Sequence, residues 1–300
     1  MNSSTLKIAR LEAIDDFRAC EELQRAAWGM DAGDVVPLHL LVTFQKNGGL
    51  VLGAFDADGA MVGTLFGFLG VEDDAPDRLK HCSHMRAFKH CSHMMGVRPD
   101  WRGRGVGYRL KLAQREHALA QGLDRVTWTF DPLESLNASL NVRKLGAVCR
   151  TYIRDLYGAM SDERNAGLGS DRFRLDWWIG TRHVAERLAG AEPRGSHDRP
   201  AGRDAVVVNP TNVGPDGRRR PPATAAAPTA PLARVEIPAD IQAMKGADLA
   251  LARAWRAHVR ELFEAAFAAG YTVVDFVSEV STTGERRSFY VLQQGFEVTK

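Results

Sequence analysis

Cysteine, net charge and long apolar runs are all scarce in this chain of 300 residues. Its four cysteines are too few for a dense disulfide framework, and none lies in a Cys-x-x-Cys pair. No apolar run reaches membrane-spanning length, and the first residues carry no apolar signal core. We therefore expect a protein of the reducing cytoplasm with no membrane partner.

The formal net charge is only +2 at pH 7. A chain so close to neutrality lacks the strongly basic surface that favours nucleic acid, so we expect no nucleic-acid partner. The hydrophobic content of 45% is enough for a sizeable core. The length indicates one large domain or two smaller ones.

Proline is distributed unevenly, with eight of the thirteen prolines between Ala189 and Leu232. This segment has few large apolar groups, so burial offsets little of the entropy lost on ordering. We predict a first domain over residues 1–188, a linker or long loop over 189–232, and a smaller C-terminal unit over 233–300. The order of elements in that unit is strand, helix, strand and strand.

Hydrophobic periodicity indicates a fold in which helices and strands alternate along the chain. Apolar residues from Phe17 to Ala27 follow helical spacing, and Asp58-Gly59 is typical of a hairpin turn between two strands. A helix is predicted over residues 106–121 and a short one from Ser135 to Leu145. Strict alternation from Phe173 to Ile179 predicts a strand.

The run "MGVRPDWRGRGVGYRLKLAQREHAL" joins a predicted strand to a helix through a glycine-rich turn. Glycines let backbone approach a ligand, and a helix start presents unpaired amides and partial positive charge. With two arginines beside them, these features favour a pyrophosphate site. A P-loop is excluded by its missing G-K-[ST], and the dinucleotide motif by Tyr108 at the third glycine position.

These residues resemble the GNAT superfamily of coenzyme A-dependent N-acyltransferases. The family signature [RQ]-x-x-G-x-[GA] is matched by Arg102, Gly105 and Gly107, and the lead-in V-x-P-x-x-R-G by residues 97–103. The segment "TFDPLESLNASLNVRKLGAV", Thr129 to Val148, is similar to "TFDPLxSLNAxLNxxKLGAV" in predicted acetyltransferases. The resemblance implies a GNAT-like fold, of the α/β class with a mixed sheet.

The resemblance also implies an enzyme that uses acetyl-CoA or another acyl-CoA as cosubstrate. The acyl group, acetyl or larger such as succinyl, would move to the amine of a small molecule, such as an amino acid, by direct attack. The residues implied in cofactor binding are Met95, Val97, Arg102, Gly103, Arg104, Gly105, Val106, Gly107 and Asn137. Asn137 is equally well explained as a helix-start cap.

A five-residue sequence, His-Cys-Ser-His-Met, occurs at residues 81–85 and again at 90–94. Only the second copy precedes the signature, so we place it on the strand that enters the turn. Alternation predicts Cys91, His93 and Met95 on one face of that strand. In arylalkylamine N-acetyltransferases two histidines in this place accept protons; Cys91 replaces the first, which leaves His93 as the candidate base. The alternative is a packed strand histidine.

A zinc site is the competing interpretation of the repeat. Its histidines and cysteines would suffice as ligands, but each copy has a Cys-x-His spacing rather than the two-residue gaps of common zinc modules. We therefore predict no bound metal.

The general acid that the resemblance implies is missing from its usual place. Many family members have a tyrosine four residues before the glycine that ends the short helix, and here that position is Val142. Tyr152 and Tyr157 follow on the next strand and at its end, and are the alternative candidates. Taken singly, each is better explained as a core or surface tyrosine.

The C-terminal unit lacks a second signature. We expect it to pack on the first domain or to complete a homodimer. The missing tyrosine leaves a second hypothesis open, a non-catalytic acyl-CoA-binding sensor on the same fold. A zinc-binding regulator is the third.

Overall fold

The structure, a computed structural model, describes residues 6–30, 33–72, 88–160, 162, 165–190, 205–281 and 284–298. The first copy of the repeat, residues 81–85, lies outside the described residues. The chain divides into two compact units, Met1–Trp128 and Thr129–Lys300.

The first unit is a mixed sheet with helices on both faces. Its strands are β1 (Lys7–Arg10), β2 (Leu50–Phe55), β3 (Met61–Val71), β4 (Phe88–Val97) and β5 (Arg125–Phe130), the last of which ends in the second unit. Its helices are α1 (Ile14–Trp28), α2 (Leu38–Lys46) and α3 (Val106–Ala120). The strand order is β1-β2-β3-β4-β5, antiparallel except for the parallel pair β4-β5.

Two predicted features of this unit form as the sequence indicates. Helix α1 buries Phe17 and Ala27 and ends at Gly29, which has the left-handed φ of 66° expected of a helix terminator. The turn between β2 and β3 contains Gly59 with a φ of 83°. Asp56 closes that turn by accepting the backbone amides of residues 58 and 60.

Apolar side chains alternate between the two faces of the sheet. One core cluster packs strand residues such as Leu52 and Leu65 against Val106 and Leu110 of α3. The other packs Val51 and Phe66 against the opposite helices, α1 and α2; its remaining members are Leu11, Phe17, Cys20 and Leu41. The predicted α/β class with a mixed sheet is confirmed.

A β-bulge in β4 interrupts this alternation. Gly67 of β3 pairs with Ser92, and Phe66, the residue before Gly67, pairs with Met94. His93 therefore has no partner residue on β3 and is the extra residue of the bulge. Met94 then packs against the α1 side of the sheet and Met95 against the α3 side. The prediction that Cys91, His93 and Met95 share one face is therefore wrong for Met95.

The strands of the second unit are β6 (Val148–Ile153), β7 (Arg172–Trp178), β8 (Val206–Val207), β9 (Asn212–Val213), β10 (Arg219–Arg220), β11 (Leu232–Ile237), β12 (Tyr271–Val280) and β13 (Arg286–Gln294). Six of them pair in the order β7-β6-β12-β13-β11-β8, antiparallel except for the parallel pair β11-β8. The helices are α4 (Ser135–Ala138), continued by a π-helical turn (Ser139–Lys144), α5 (Arg182–Ala189), α6 (Ile241–Ala247) and α7 (Leu249–Ala268).

Residues 205–232, in the predicted linker or long loop, are held mainly by polar contacts. β8 pairs with β11, and β9 pairs with β10. Arg219 donates two hydrogen bonds, of 2.6 and 2.7 Å, to the Glu285 carboxylate. Trp255 donates its indole N–H to the Arg219 carbonyl at 3.1 Å. The division of the chain at residues 188 and 232 remains a prediction.

None of the described helices combines the length and the apolar character needed to cross a membrane.

Candidate functional site

The turn between β4 and α3, which we call the glycine turn, has a backbone conformation suited to binding an anion. Gly103 and Gly105 have left-handed φ angles of 76° and 79°, which side chains other than glycine rarely adopt. A Cβ at either position would have no heavy atom within 4 Å, so the space around the turn is open. The first α-helical hydrogen bond runs from Arg109 N to Gly105 O at 3.1 Å. The amides of Val106 and Gly107 therefore precede the helical bonding pattern and are directed to the positive end of the helix.

The two arginines of the turn do different things. The Arg102 guanidinium donates to the Ala27 carbonyl at 2.7 Å and to the Val97 carbonyl at 3.4 Å. It thereby ties the turn to the last turn of α1 and the end of β4. The Arg104 guanidinium lies 5.0 Å from the centre of the ring of Trp101, a half-buried residue. A direct phosphate contact by either side chain remains a prediction.

Beyond its first residues, β4 presents an open edge towards β5. The parallel pairing is confined to His90 with Val126 and Cys91 with Thr127. At the end of β4, the Arg98 amide donates to Val62 of β3. Because successive amides of a strand alternate between its two edges, those of Val97 and Met95 point to the β5 side. Two backbone donors thus line a fork between β4 and β5 that leads to the glycine turn.

His93 lies in the bulge, on the face opposite α3. Its ring centre is 5.7 Å from that of Phe66 and 6.1 Å from that of Phe68. Although the residue is exposed overall, this packing partly desolvates the ring, and burial lowers the pKa of His93 below its ordinary 6.5. The imidazole is therefore neutral at pH 7 and able to accept a proton.

On the α3 side, the same part of β4 meets a cluster of buried and half-buried polar and aromatic residues. We call it the α3–β4 cluster; its members are His90, Ser92, Lys111, Gln114, His117 and Trp128. The Lys111 ammonium donates to Ser92 Oγ at 2.9 Å and to Gln114 Oε1 at 3.1 Å. It also lies 3.7 Å from the centre of the Trp128 ring.

Burial dominates the electrostatics of this cluster. Lys111 is only 2% exposed, and desolvation lowers its pKa to about 7. His90 is fully buried, and burial, reinforced by the charges of His117 and Lys111, lowers its pKa to about 3. Neither ring nitrogen of His90 has a hydrogen-bond partner among the described residues. Lys111 was not predicted from the sequence. Its only signal was its position near Leu110 and Gln114 on the inner face of α3.

The two candidate tyrosines lie in the second unit. Tyr152 donates to Asp171 at 2.6 Å, and burial together with that carboxylate raises the pKa of Tyr152 above its usual value. Tyr157 is 54% exposed, and its hydroxyl lies 3.0 Å from that of Thr129. The Tyr152 proton is thus engaged by a neighbouring carboxylate, whereas Tyr157 is accessible to solvent.

The last two predicted positions lie around α4. Asn137 is exposed in this short helix, and residue 134, not 137, is its N-cap. The helix-cap explanation of Asn137 is therefore wrong, and its contact with a cofactor remains a prediction. Val142, where the family resemblance implies tyrosine, is fully buried and offers no proton.

Among the described residues, no three His, Cys, Asp or Glu side chains lie close enough together to hold a metal ion. The first copy of the repeat lies outside these residues.

The chain is similar in structure to several solved acetyltransferase structures. No protein-family model and no curated protein sequence matches the chain. An N-acetyltransferase from Staphylococcus aureus Mu50 is 14% identical, with a TM-score of 0.46, over 59% of this chain and 99% of that one. A GNAT-family acetyltransferase from Streptococcus pneumoniae is 19% identical, with a TM-score of 0.44, over 58% and 99%. The NatC complex bound to Gag peptide and CoA is 13% identical, with a TM-score of 0.43, over 57% and 97%. The chain is similar to these structures, and at such identities and TM-scores the matches by themselves assign it no activity.

Proposed function

We propose that the chain is an acyl-CoA-dependent N-acyltransferase that moves an acetyl or larger acyl group, such as succinyl, to the amine of a small molecule. The observation that carries the proposal is the continuity of the open edge of β4 with the glycine turn. On the open edge of β4, the amides of Met95 and Val97 can pair with an extended ligand arm that itself contains amides. At the turn, the amides of Val106 and Gly107 and the positive end of α3 can bind a pyrophosphate.

Coenzyme A has these two chemical parts in this order. Its pyrophosphate would accept hydrogen bonds from the amides of residues 104–107, with Gly103 and Gly105 providing the backbone angles. Its pantetheine arm would pair with the amides of Val97 and Met95 as an added strand. The thioester would then lie further into the fork, level with His93 and Ser92.

His93 is the residue best suited to take the amine proton. It is on β4 at the level expected for the thioester, and its ring is neutral at pH 7. The amine attacks the carbonyl carbon directly, His93 accepts a proton from its nitrogen, and a β4 amide can stabilise the oxyanion. No covalent acyl-enzyme is required.

A second candidate, an acyl-CoA-binding sensor, is favoured by one observation. Val142 removes the tyrosine that would protonate the leaving thiolate in the resembling family, so binding without turnover is chemically reasonable. The two candidates share the cofactor site and differ only in whether thiol is released.

The test combines binding and turnover. The full chain is incubated with acetyl-CoA and with succinyl-CoA against a panel of small amines that includes amino acids, and free thiol is followed. Amine-dependent thiol release supports the enzyme. Acyl-CoA binding in calorimetry without release from any amine supports the sensor, and absence of acyl-CoA binding overturns both.

A further inference from the structure

The buried ammonium of Lys111 lies at the closed end of the fork between β4 and β5. Pairing between β4 and β5 ends at Cys91 and Thr127, so Ser92 and Trp128 are the first residues beyond the closed end of the fork. The Lys111 ammonium contacts both, through the Ser92 hydroxyl at 2.9 Å and the Trp128 ring at 3.7 Å. A buried cation therefore lies against the point where the two strands separate.

Ordinary strand alternation places this cation and His93 on opposite faces of β4. Ser92 faces α3, and the next residue, His93, packs against Phe66 and Phe68 on the other face. A thioester held in the fork would be approached by a base from one side and by a proton donor from the other. Direct amine attack needs these two functions, one at nitrogen and one at sulfur.

We propose that Lys111, acting through the hydroxyl of Ser92, supplies the proton that the departing coenzyme A thiolate takes up. The inference rests on the acyltransferase function proposed above. The amine nitrogen bonds to the thioester carbon and gives a proton to His93, and the carbon–sulfur bond breaks with its electron pair on sulfur. Ser92 passes its hydroxyl proton to sulfur and takes one from Lys111. Solvent then removes the proton from His93 and returns one to Lys111, so no co-reactant is needed.

The acidity of Lys111 suits this task. An ordinary lysine has a pKa of about 10.4, above the value of about 8.5 for a cysteine thiol, so proton transfer to a thiolate would be uphill. Burial lowers the pKa of Lys111 to about 7, which makes the transfer downhill. No carboxylate contacts this ammonium among the described residues. The titratable group beside it is His90 of β4, whose pKa is lowered by burial and further by the charges of His117 of α3 and of Lys111.

The experiment compares variants of the full chain across pH 5 to 9.5. In the wild type we expect kcat to fall as pH rises through about 7, because Lys111 loses its proton there. Lys111→Met should lower kcat about 100-fold, leave KM for acetyl-CoA unchanged and abolish this alkaline fall. Lys111→Arg keeps the positive charge but holds its proton too tightly, so it should be equally slow. Ser92→Ala should also be slow, since it interrupts the relay.

Lys46→Met, at an exposed lysine of α2, is the matched control and should behave as wild type. Wild-type kcat and an unchanged alkaline fall in Lys111→Met overturn the inference while leaving the acyltransferase in place. If Lys111→Met does not fold, unchanged kcat in both Lys111→Arg and Ser92→Ala overturns it equally. An inactive wild type overturns the function and the inference together.

Discussion

At the scale of single residues, His93 is set apart from other histidines by the bulge. It is the extra residue of β4, and its neutral imidazole lies on the face opposite Lys111. We predict that His93→Gln lowers kcat/KM about 10²–10⁴-fold, the usual contribution of a positioned general base. Acyl-CoA binding should persist, because the amides of Met95 and Val97 remain. The deficit relative to wild type should narrow at high pH, where more of the amine is free and loss of the Lys111 proton slows both proteins alike.

The repeat provides a control with the same local sequence. His84 occupies in the first copy the position of His93 in the second. Calorimetry with acetyl-CoA and pH–rate profiles of His93→Gln and His84→Gln would be measured side by side. Small and equal effects on kcat/KM would rule out His93 as the base, and large equal effects with loss of bound zinc would support the metal alternative.

At the scale of elements, the role of the glycine turn in cofactor binding can be separated from the strain that any side chain would cause at a left-handed φ. Gly105→Glu places a negative charge beside the amides of Val106 and Gly107, so we predict loss of acyl-CoA affinity of at least about tenfold. Gly59 in the β2–β3 turn has a similar φ, 83° against 79°, and equally open surroundings. Gly59→Glu should therefore lose comparable stability and keep its affinity. Equal affinities of both variants and wild type in calorimetry would exclude the turn as the cofactor site.

The sequence predicted those elements whose signals are local. The α1 stop at Gly29, the Asp58-Gly59 turn and the strand-to-helix turn at Gly105 each depend on a few consecutive residues. The bulge at His93 could not be predicted, because it depends on how β4 pairs with β3. Lys111 was missed for a related reason: a helical pattern marks the inner face of α3, but not the polar partners that the facing strands supply.

Gly67 of β3 shows why the bulge needs a particular partner strand. A Cβ at this position would lie 2.4 Å from the Cys91 carbonyl oxygen and 2.6 Å from His90 Nε2. Both contacts are far too short, and one involves backbone. We predict that Gly67→Ala destabilises the protein by about 1–3 kcal/mol, as overpacking commonly does, and that it lowers kcat by displacing His93.

Gly33→Ala is the control for this substitution. Gly33 lies in the same unit, its φ is outside the left-handed region, and no atom is within 4 Å of its added Cβ. Denaturant unfolding of the two variants would compare their stabilities. Equal stability of Gly67→Ala and Gly33→Ala would show that β3 and β4 accommodate a methyl group at the bulge.

At the scale of the whole molecule, polar contacts give order where composition predicted little packing. Residues 205–232 have few large apolar groups, yet Asn209 accepts the Glu236 amide at 2.8 Å and donates to its carbonyl at 2.9 Å. The Glu236 carboxylate, almost fully buried, receives two hydrogen bonds from Arg287. Such contacts join residues far apart in sequence, so no window of composition could indicate them.

Histidine burial makes the stability of the whole protein depend on pH. Burial is the main cause of a lowered pKa at five described histidines: His90, His93, His117, His183 and His258. Below pH 6.5 the unfolded chain therefore binds more protons than the folded protein, and protonation favours unfolding. The stabilisation is complete above pH 6.5 and is lost as pH falls towards the lowered values, which for His90 means about 3.

We predict that the free energy of unfolding decreases between pH 6.5 and about 4.5, a window above the ordinary carboxylate range. His90 alone should contribute about 1.4 kcal/mol for each pH unit, since it stays neutral throughout this window when folded. His90→Leu removes that contribution and also the two unpartnered ring nitrogens, so its unfolding free energy should fall less steeply with acid. Urea unfolding of wild type and His90→Leu at several pH values measures both slopes. Parallel slopes would mean that His90 is protonated as readily in the folded protein as in the unfolded chain, contrary to its burial between β4 and α3.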